Sequence, residues 1–258
     1  MNRELIKQNH VYWQNRALGY SEVNKEELAG VQRENWTSFL TSEITSHFPE
    51  RKRRDIKILD VGAGPGFISI ILAEAGFNVT AFDFSESMLQ EARANAGDLA
   101  DNITFIQGNA MELPFEPETF DVVFSRNLTW NLPEPKTAYN QWVRVLRKNG
   151  LMLVFDANWY TYLVDDKKLG EYNQDRMNVA NQGLGDYNIG ANFDKMEDIA
   201  MELPLTNRIR PGWDRDYLES LGVGQVITKE DVGEILYSKK EKINYKSTPL
   251  FMVKLIKD

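Results

Sequence analysis

The sequence predicts an α/β fold in which short apolar strands alternate with helices, and three observations carry that expectation. Ile58-Leu59-Asp60-Val61 reads as an apolar strand running into a glycine turn, Gly62-Ala63-Gly64-Pro65-Gly66, after which Phe67-Ile68-Ser69-Ile70-Ile71-Leu72 opens a buried helix. A second strand, Phe77–Phe82, ends at Asp83, about twenty residues past the turn, where a doubly wound sheet places its ribose-binding acid. Further strand-like runs follow at Ile103–Gln107, Phe120–Phe124 and Leu151–Phe155, the last apolar enough to be buried on both faces, as a parallel sheet requires.

Residues up to about Arg54 read as helices, with Leu28, Val31, Phe39, Leu40 and Ile44 near helical spacing. Pro49 and the cluster Arg51-Lys52-Arg53-Arg54 then punctuate the chain as a solvated junction. At Gly62, Gly64 and Gly66 the lack of a Cβ opens turn dihedrals closed to other residues and lets a ligand approach the main chain. The spacing is G-x-G-x-G, not the dinucleotide pattern G-x-G-x-x-G, whose third glycine would fall on Phe67; no Gly-Lys-Ser/Thr follows, which excludes a Walker loop. A bare glycine turn without a ligand and a nicotinamide-dependent oxidoreductase both remain open at this point. Asp83 could bind a ribose diol or cap the helix beginning at Glu86, but Ser85 already stands in a good N-cap place. Pro135–Arg147 is a predicted helix, with Ala138, Trp142, Val145 and Leu146 at i, i+4, i+7 and i+8. From Ala157 to about Gly212 the pattern loosens into a partly helical insertion too long for a simple connection. Order returns with a helix over Asp214–Leu221 and strands over Val223–Thr228 and Pro249–Ile256.

The ordered set DVGAGPG, FDFSESML, GNAMELPF and FDVVFSRN, then the helix containing WVRVLRKNG and the strand LMLVFDAN, resembles class I S-adenosylmethionine-dependent methyltransferases, most closely their type 11 small-molecule branch. The likeness covers about Ile56 to Asp156. It implies a Rossmann-like seven-stranded, mostly parallel sheet of order 3-2-1-4-5-7-6, with the seventh strand antiparallel, flanked by helices and carrying a helical cap. The implied division is an N-terminal helical lid (1–54), a cofactor-binding core (55–156), a cap insertion (157–213) and the C-terminal part of the core sheet (214–258).

The resemblance also implies roles. Gly62, Ala63 and Gly64, with Gly66, would lie against the methionine part of S-adenosylmethionine, while Asp60 holds the loop. Asp83 would bind the ribose diol, Phe84 and Met88 would cover one adenine face, Ala110 and Met111 would take the other edge, and Asn109 would accept from the adenine amine. The third motif usually carries aspartate where this chain has Asn109, so binding there proceeds with one fewer charge. Ser125 would border the sulfonium. The stretch from Tyr12 to Tyr20 resembles a W-x-x-R-A-x-x-Y lead-in that closes over the cofactor, pointing to Tyr20 and Arg16, with plain helix packing explaining Trp13 better. Asn127, Thr129, Trp130, Asp156 and Trp159 are candidates for the acceptor pocket, Trp130 being equally a core candidate and Asp156 more readily a cap of the next turn.

The formal net charge of −8 and the lack of an extended basic run make nucleic acid a poor substrate expectation, and 42% hydrophobic content can supply a sizeable core. With no cysteine, disulfides, thiolate nucleophiles and sulfur metal sites are excluded. No metal is expected. The N-terminus lacks a signal-peptide core and no segment approaches the roughly twenty apolar residues needed to span a bilayer, so a cytoplasmic protein is expected. His10 and His47 read as structural. The functional expectation is methyl transfer from S-adenosylmethionine to a small molecule, releasing S-adenosylhomocysteine; the alternative is a non-catalytic sensor or scaffold that binds the same cofactor. The catalytic residues, the acceptor and the oligomeric state are not read from the sequence.

Overall fold

The computed structural model describes residues 3–188 and 193–258. The chain opens with α1 (Arg3–Ala29) and α2 (Val31–His47), separated at Gly30. The core then alternates β1 (Lys57–Val61), α3 (Phe67–Glu74), β2 (Asn78–Asp83), α4 (Glu86–Ala96), β3 (Ile103–Gln107), β4 (Phe120–Arg126), α5 (Pro135–Val145) and β5 (Leu146–Asp156). The insertion holds α6 (Asp166–Asn181) and α7 (Phe193–Glu202). The chain then closes with α8 (Gly212–Ser220), β6 (Gly224–Lys229), α9 (Gly233–Leu236), α10 (Lys239–Asn244) and β7 (Phe251–Lys257).

The seven strands form one sheet of order β3-β2-β1-β4-β5-β7-β6, as the resemblance implies. Neighbours from β3 through β5 are parallel, and β7 runs antiparallel to both β5 and β6. Period-two alternation splits the apolar residues between two layers. Ile58, Val122, Phe124, Leu153 and Phe155 face a cluster with Trp36, Leu40 and Ile44 of α2 and with α3. Leu59, Val61, Val123, Met152 and Val154 face Ala138, Tyr139 and Trp142 of α5. A third, smaller cluster joins Leu5 and Tyr12 of α1 to Met196, Ile199, Ala200 and Leu203 around Trp130, so the N-terminal helix and the insertion share apolar surface.

Several boundaries differ from the sequence reading. β4 continues to Arg126, and β5 begins at Leu146, where the expected helix is already over; a register shift between Phe120 and Val122 and a positive φ of 56° at Asn149 absorb the change. α9 and α10 fall in a stretch with no sequence assignment. Ser238 and Glu241 nonetheless form a full capping box at the start of α10, a local signal the sequence does carry. Among the described residues no helix is long and apolar enough to cross a membrane.

Candidate active site

The site is built on the carboxyl ends of β1, β2 and β4. The amides of Gly62 and Ala63 donate to the Phe82 carbonyl at 2.8 and 3.1 Å, clipping the glycine turn to the end of β2. Gly62 and Gly64 have φ of 75° and 53°, conformations that side-chain-bearing residues rarely adopt. One oxygen of Asp83 accepts from the Gly64 amide at 2.8 Å and the other from the Ser85 amide at 2.8 Å. A carboxylate offers about four lone-pair sites, so with the Phe84 amide also near it this one still has room for a ligand. Burial raises the Asp83 pKa while the surrounding backbone amides oppose that shift. Beneath the turn, Asp60 accepts from Ser69 Oγ at 2.6 Å. Its pKa is raised to about 7, chiefly by burial; the charge of Asp83 adds to the rise, whereas Ser69 and Arg126 oppose it.

From Asp83 the cleft extends along Phe84, Met88, Asn109, Ala110 and Met111, which line one cavity together. Ser85 caps α4 by accepting from the Met88 amide at 3.3 Å, which fixes Met88 beside Phe84. Asn109 Oδ1 accepts from the Met111 amide at 3.0 Å, and Trp142 Nε1 donates to the Ala110 carbonyl at 3.0 Å, tying this wall to α5. α1 covers the cleft lengthwise: Ile6, Asn9, Trp13 and Tyr20 all line the cavity, at the helical spacing of one face. His10 packs against Phe84 with ring centroids 4.1 Å apart and planes tilted by 46°, and bonds Gln14, so it braces one wall. His47 bonds the Asn149 carbonyl at 2.8 Å, a structural contact.

At the other end, the Tyr20 ring would lie 3.8 Å from a Cβ on Gly64, and Tyr20 joins Asn24, Asp60, Ala63, Arg126 and Asn127 around a second, connecting hollow. Arg126 is paired with Glu27 of α1 and sandwiched between the rings of Trp36 and Phe67, at 5.0 and 5.2 Å. Asn24 donates to Glu27 at 3.0 Å and accepts from the Phe67 amide at 3.2 Å, so the same network caps α3. Burial raises the Glu27 pKa, with Arg126 opposing. Burial likewise raises that of Tyr20, so its phenol stays protonated. Asn127 sits at a positive φ of 55°, a conformation more open to Asn than to most residues but still costing on the order of 1 kcal/mol.

The sequence-predicted residues divide accordingly. Tyr20, Gly62, Gly64, Asp83, Phe84, Met88, Asn109, Ala110, Met111 and Asn127 line the main cavity, while Asp60 and Ala63 border the hollow beneath the turn. Others lie elsewhere. Gly66 is the N-cap of α3, and a Cβ there would press within 2.9 Å of Ala92, so its smallness serves helix packing. Ser125 is fully buried and donates to the Val61 carbonyl inside the sheet at 3.0 Å. Arg16 lies against its own helix near Gly19, outside both cavities; Arg126 already supplies the positive charge at that wall.

Thr129, Trp130, Asp156 and Trp159 turn away from the main cavity. Asp156 accepts from Thr129 Oγ1, the Trp130 amide, Trp159 Nε1 and the guanidinium of Arg210, and that buried guanidinium is the reason the acid points inward. Trp130 packs with α1 and α7, its core alternative. Sequence reasoning missed Arg126, Leu128 and Asn131, which follow β4 into the cleft, and Ile6, Asn9 and Trp13. Only the last three carried a signal, their one-sided spacing with Tyr20.

A family model described as a methyltransferase domain matches residues 59–154. That segment carries the likeness to class I S-adenosylmethionine-dependent methyltransferases of type 11. The chain also resembles curated methyltransferases. It is 35% identical over 145 residues to the ubiquinone/menaquinone biosynthesis C-methyltransferase UbiE of Agrobacterium fabrum, covering 54% of each chain. It is 38% identical over 99 residues to the demethylmenaquinone methyltransferase of Clavibacter sepedonicus, covering 38% of this chain and 40% of that one. The chain thus spans about half the length of the curated relatives it matches. Among solved structures, a putative S-adenosyl-L-methionine-dependent methyltransferase from Methanococcus maripaludis shares the fold at TM-score 0.58 and 19% identity, over 95% of this chain and 93% of that chain. Haemonchus contortus phosphoethanolamine N-methyltransferase 2, solved with S-adenosyl-L-methionine, shares it at TM-score 0.55 and 18% identity, over 83% of this chain and 51% of that chain.

Proposed function

We propose that the chain transfers a methyl group from S-adenosylmethionine to a small-molecule acceptor in the cytoplasm. One observation carries the reading: Asp83 stands in a cleft between a positive-φ glycine turn on one side and walls of Phe84, Met88, Ala110 and Met111 on the other. The residues present suit the cofactor. Asn9 Oδ1, Trp13 Nε1, Asn127 Oδ1 and Asn131 Oδ1 are buried without a protein partner on residues lining that cleft, groups that cost free energy until a ligand pairs with them. The acid suits a diol, the apolar walls suit a base, and the unpaired oxygens suit amino and hydroxyl donors.

When bound, the cofactor supplies a methyl group on a sulfonium and leaves as S-adenosylhomocysteine. The chain's own part is to hold and enclose. Asp83 anchors the ribose and the glycine turn meets the amino-acid end. Residues 1–54 and 157–213 act as cover, and 55–156 with 214–258 as the sheet core. Their apolar contact through α1 and α7 holds the two segments together. Positioning of this kind can be worth about 7–11 kcal/mol in favourable systems. Tyr20, with its raised pKa, keeps its proton and bounds the pocket, without acting as a base at neutral pH. The names of the curated relatives favour a small acceptor.

Two measurements test the reading. Calorimetry should show binding of S-adenosylmethionine and S-adenosylhomocysteine, and no binding of either at millimolar concentration would reject it. Incubation with methyl-labelled cofactor and a metabolite extract should place label in a small molecule; tight binding without any transfer would favour the sensor.

A further inference from the structure

Asn127 stands at the end of β4 with left-handed backbone, and three contacts hold it there. Its amide donates to the Phe155 carbonyl at 2.8 Å, its own carbonyl accepts from Trp130 Nε1 at 3.0 Å, and its side chain meets the Tyr20 hydroxyl. Its Oδ1 is buried, has no protein partner and belongs to a residue lining both the main cavity and the hollow under the glycine turn. A backbone conformation disfavoured for a side-chain-bearing residue persists only where its surroundings impose it. The question is what imposes it on Trp130.

The answer runs through buried charge. The Trp130 amide donates to Asp156 Oδ2 at 2.9 Å, and Thr129 Oγ1 donates to the same oxygen at 2.7 Å. Arg210, at the exit of the insertion, donates from Nη1 to Asp156 at 2.8 Å and from Nη2 to Thr129 Oγ1 at 2.9 Å. The remaining guanidinium edge forks onto Asp214 of α8 at 2.9 and 2.8 Å, and Tyr139 of α5 donates to Asp214 at 2.6 Å. Asp156 and Asp214 are fully buried and Arg210 is 3% exposed. Buried charge is a costly way to join segments that apolar packing could join instead, yet it fixes direction as apolar packing does not. Here it fixes the turn on which Asn127 depends.

We propose that Arg210 is a positioning residue that, through Asp156 and Trp130, holds Asn127 so that its free amide oxygen meets the amino group at the amino-acid end of the cofactor. The inference rests on the cofactor reading above. Its consequence is selective: loosening the turn weakens ligands that carry the amino-acid end and spares ligands that lack it.

The probes are S-adenosylhomocysteine and 5′-methylthioadenosine, which keeps the nucleoside thioether and lacks the amino-acid end. In Trp130→Phe the ring stays and the bond to the Asn127 carbonyl goes. Its affinity for S-adenosylhomocysteine should fall about two- to tenfold, the range for one hydrogen bond, with methylthioadenosine binding unchanged. Arg210→Lys, which loses the two-pronged contact, should shift the same ratio in the same direction. Adding Trp130→Phe to Asn127→Ala should cost nothing beyond Asn127→Ala alone, because both act through one contact. Parallel losses for the two ligands, unchanged S-adenosylhomocysteine affinity, or fully additive effects would each overturn the proposal. Failure of the unaltered protein to bind S-adenosylhomocysteine would instead overturn the cofactor reading.

Discussion

Replacing Asp83 by asparagine puts the cofactor assignment under its most direct strain. In the protein the Asp83 oxygens take the Gly64 and Ser85 amides at 2.8 Å and keep lone-pair room for ribose hydroxyls. Asparagine retains one carbonyl oxygen and turns a donor toward one of those two backbone donors. The ligand therefore loses one charge-assisted bond, and the other weakens as the charge disappears. At about 1.5–3 kcal/mol for a bond to a charged group, the combined loss should be about 2–4 kcal/mol, or roughly 30- to 1,000-fold in affinity. Calorimetry with S-adenosylhomocysteine reads that total, and a second pair of ligands isolates the cause. The unaltered protein should prefer adenosine to 2′,3′-dideoxyadenosine, and Asp83→Asn should sharply reduce that preference while leaving the dideoxy affinity nearly unchanged. An affinity for S-adenosylhomocysteine within about threefold of the unaltered protein, or an undiminished preference for the diol, would refute the ribose role.

Three other outcomes follow from named contacts. Glu27→Gln strands Arg126 in a buried site where the pair's side chains are 4% and 13% exposed. A loss of about 3–5 kcal/mol should lower the melting temperature by about 6–20 °C, and a shift under about 3 °C in a thermal scan would contradict the pairing. Asp60 binds its proton more tightly folded than unfolded, its pKa being raised from 3.8 to about 7, so its contribution to stability is greatest below about pH 4 and declines as pH rises toward 7. Asp60→Asn should remove a decline of up to about 4 kcal/mol; denaturant titrations of both proteins at pH 4.5 and 7.5 would show equal differences if the shift is absent. Gly62→Ala places a Cβ 2.8 Å from Leu128 at a φ of 75° and should cost about 1–3 kcal/mol in stability together with cofactor affinity. Leu128→Ala should restore only the part due to overlap, and full restoration would show that the φ carries no cost.

What was legible in the chain was local. The run from Ile58 through Gly66 announces a strand and a turn because only glycine is comfortable at φ of 75° and 53°, and Asp83 announces itself by its distance from that turn. Strand order is not local, and it came from resemblance alone. The end of β5 shows why sites are harder than folds. An acid after an apolar strand has the same signature whether it faces a ligand or a guanidinium, and the partner of Asp156 is Arg210, fifty-four positions later. Arg126 was hidden for the same reason, its partner Glu27 lying ninety-nine positions earlier in a helix with no marked pattern. Ile6, Asn9, Trp13 and Tyr20 were readable as one helical face, but a face that covers a cleft looks in sequence like a face that covers a core.

The two consecutive residues that end β4 and begin its turn explain how this site can be demanding about geometry. Arg126 is held from the N-terminal side by Glu27 on α1, and Asn127 from the insertion side by Trp130, Asp156 and Arg210. The N-terminal helix and the insertion therefore each carry one charged tether to the same short piece of backbone, beside the glycine turn. If methyl transfer draws most of its acceleration from alignment and water exclusion, the cover and the alignment cannot be separate devices: displacing either segment releases a wall of the cleft at the end where the methyl group would stand. On this view the sheet supplies a fixed floor, and the cost of burying Glu27, Arg126, Asp156, Arg210 and Asp214 is offset by coupling closure to the placement of two adjacent side chains.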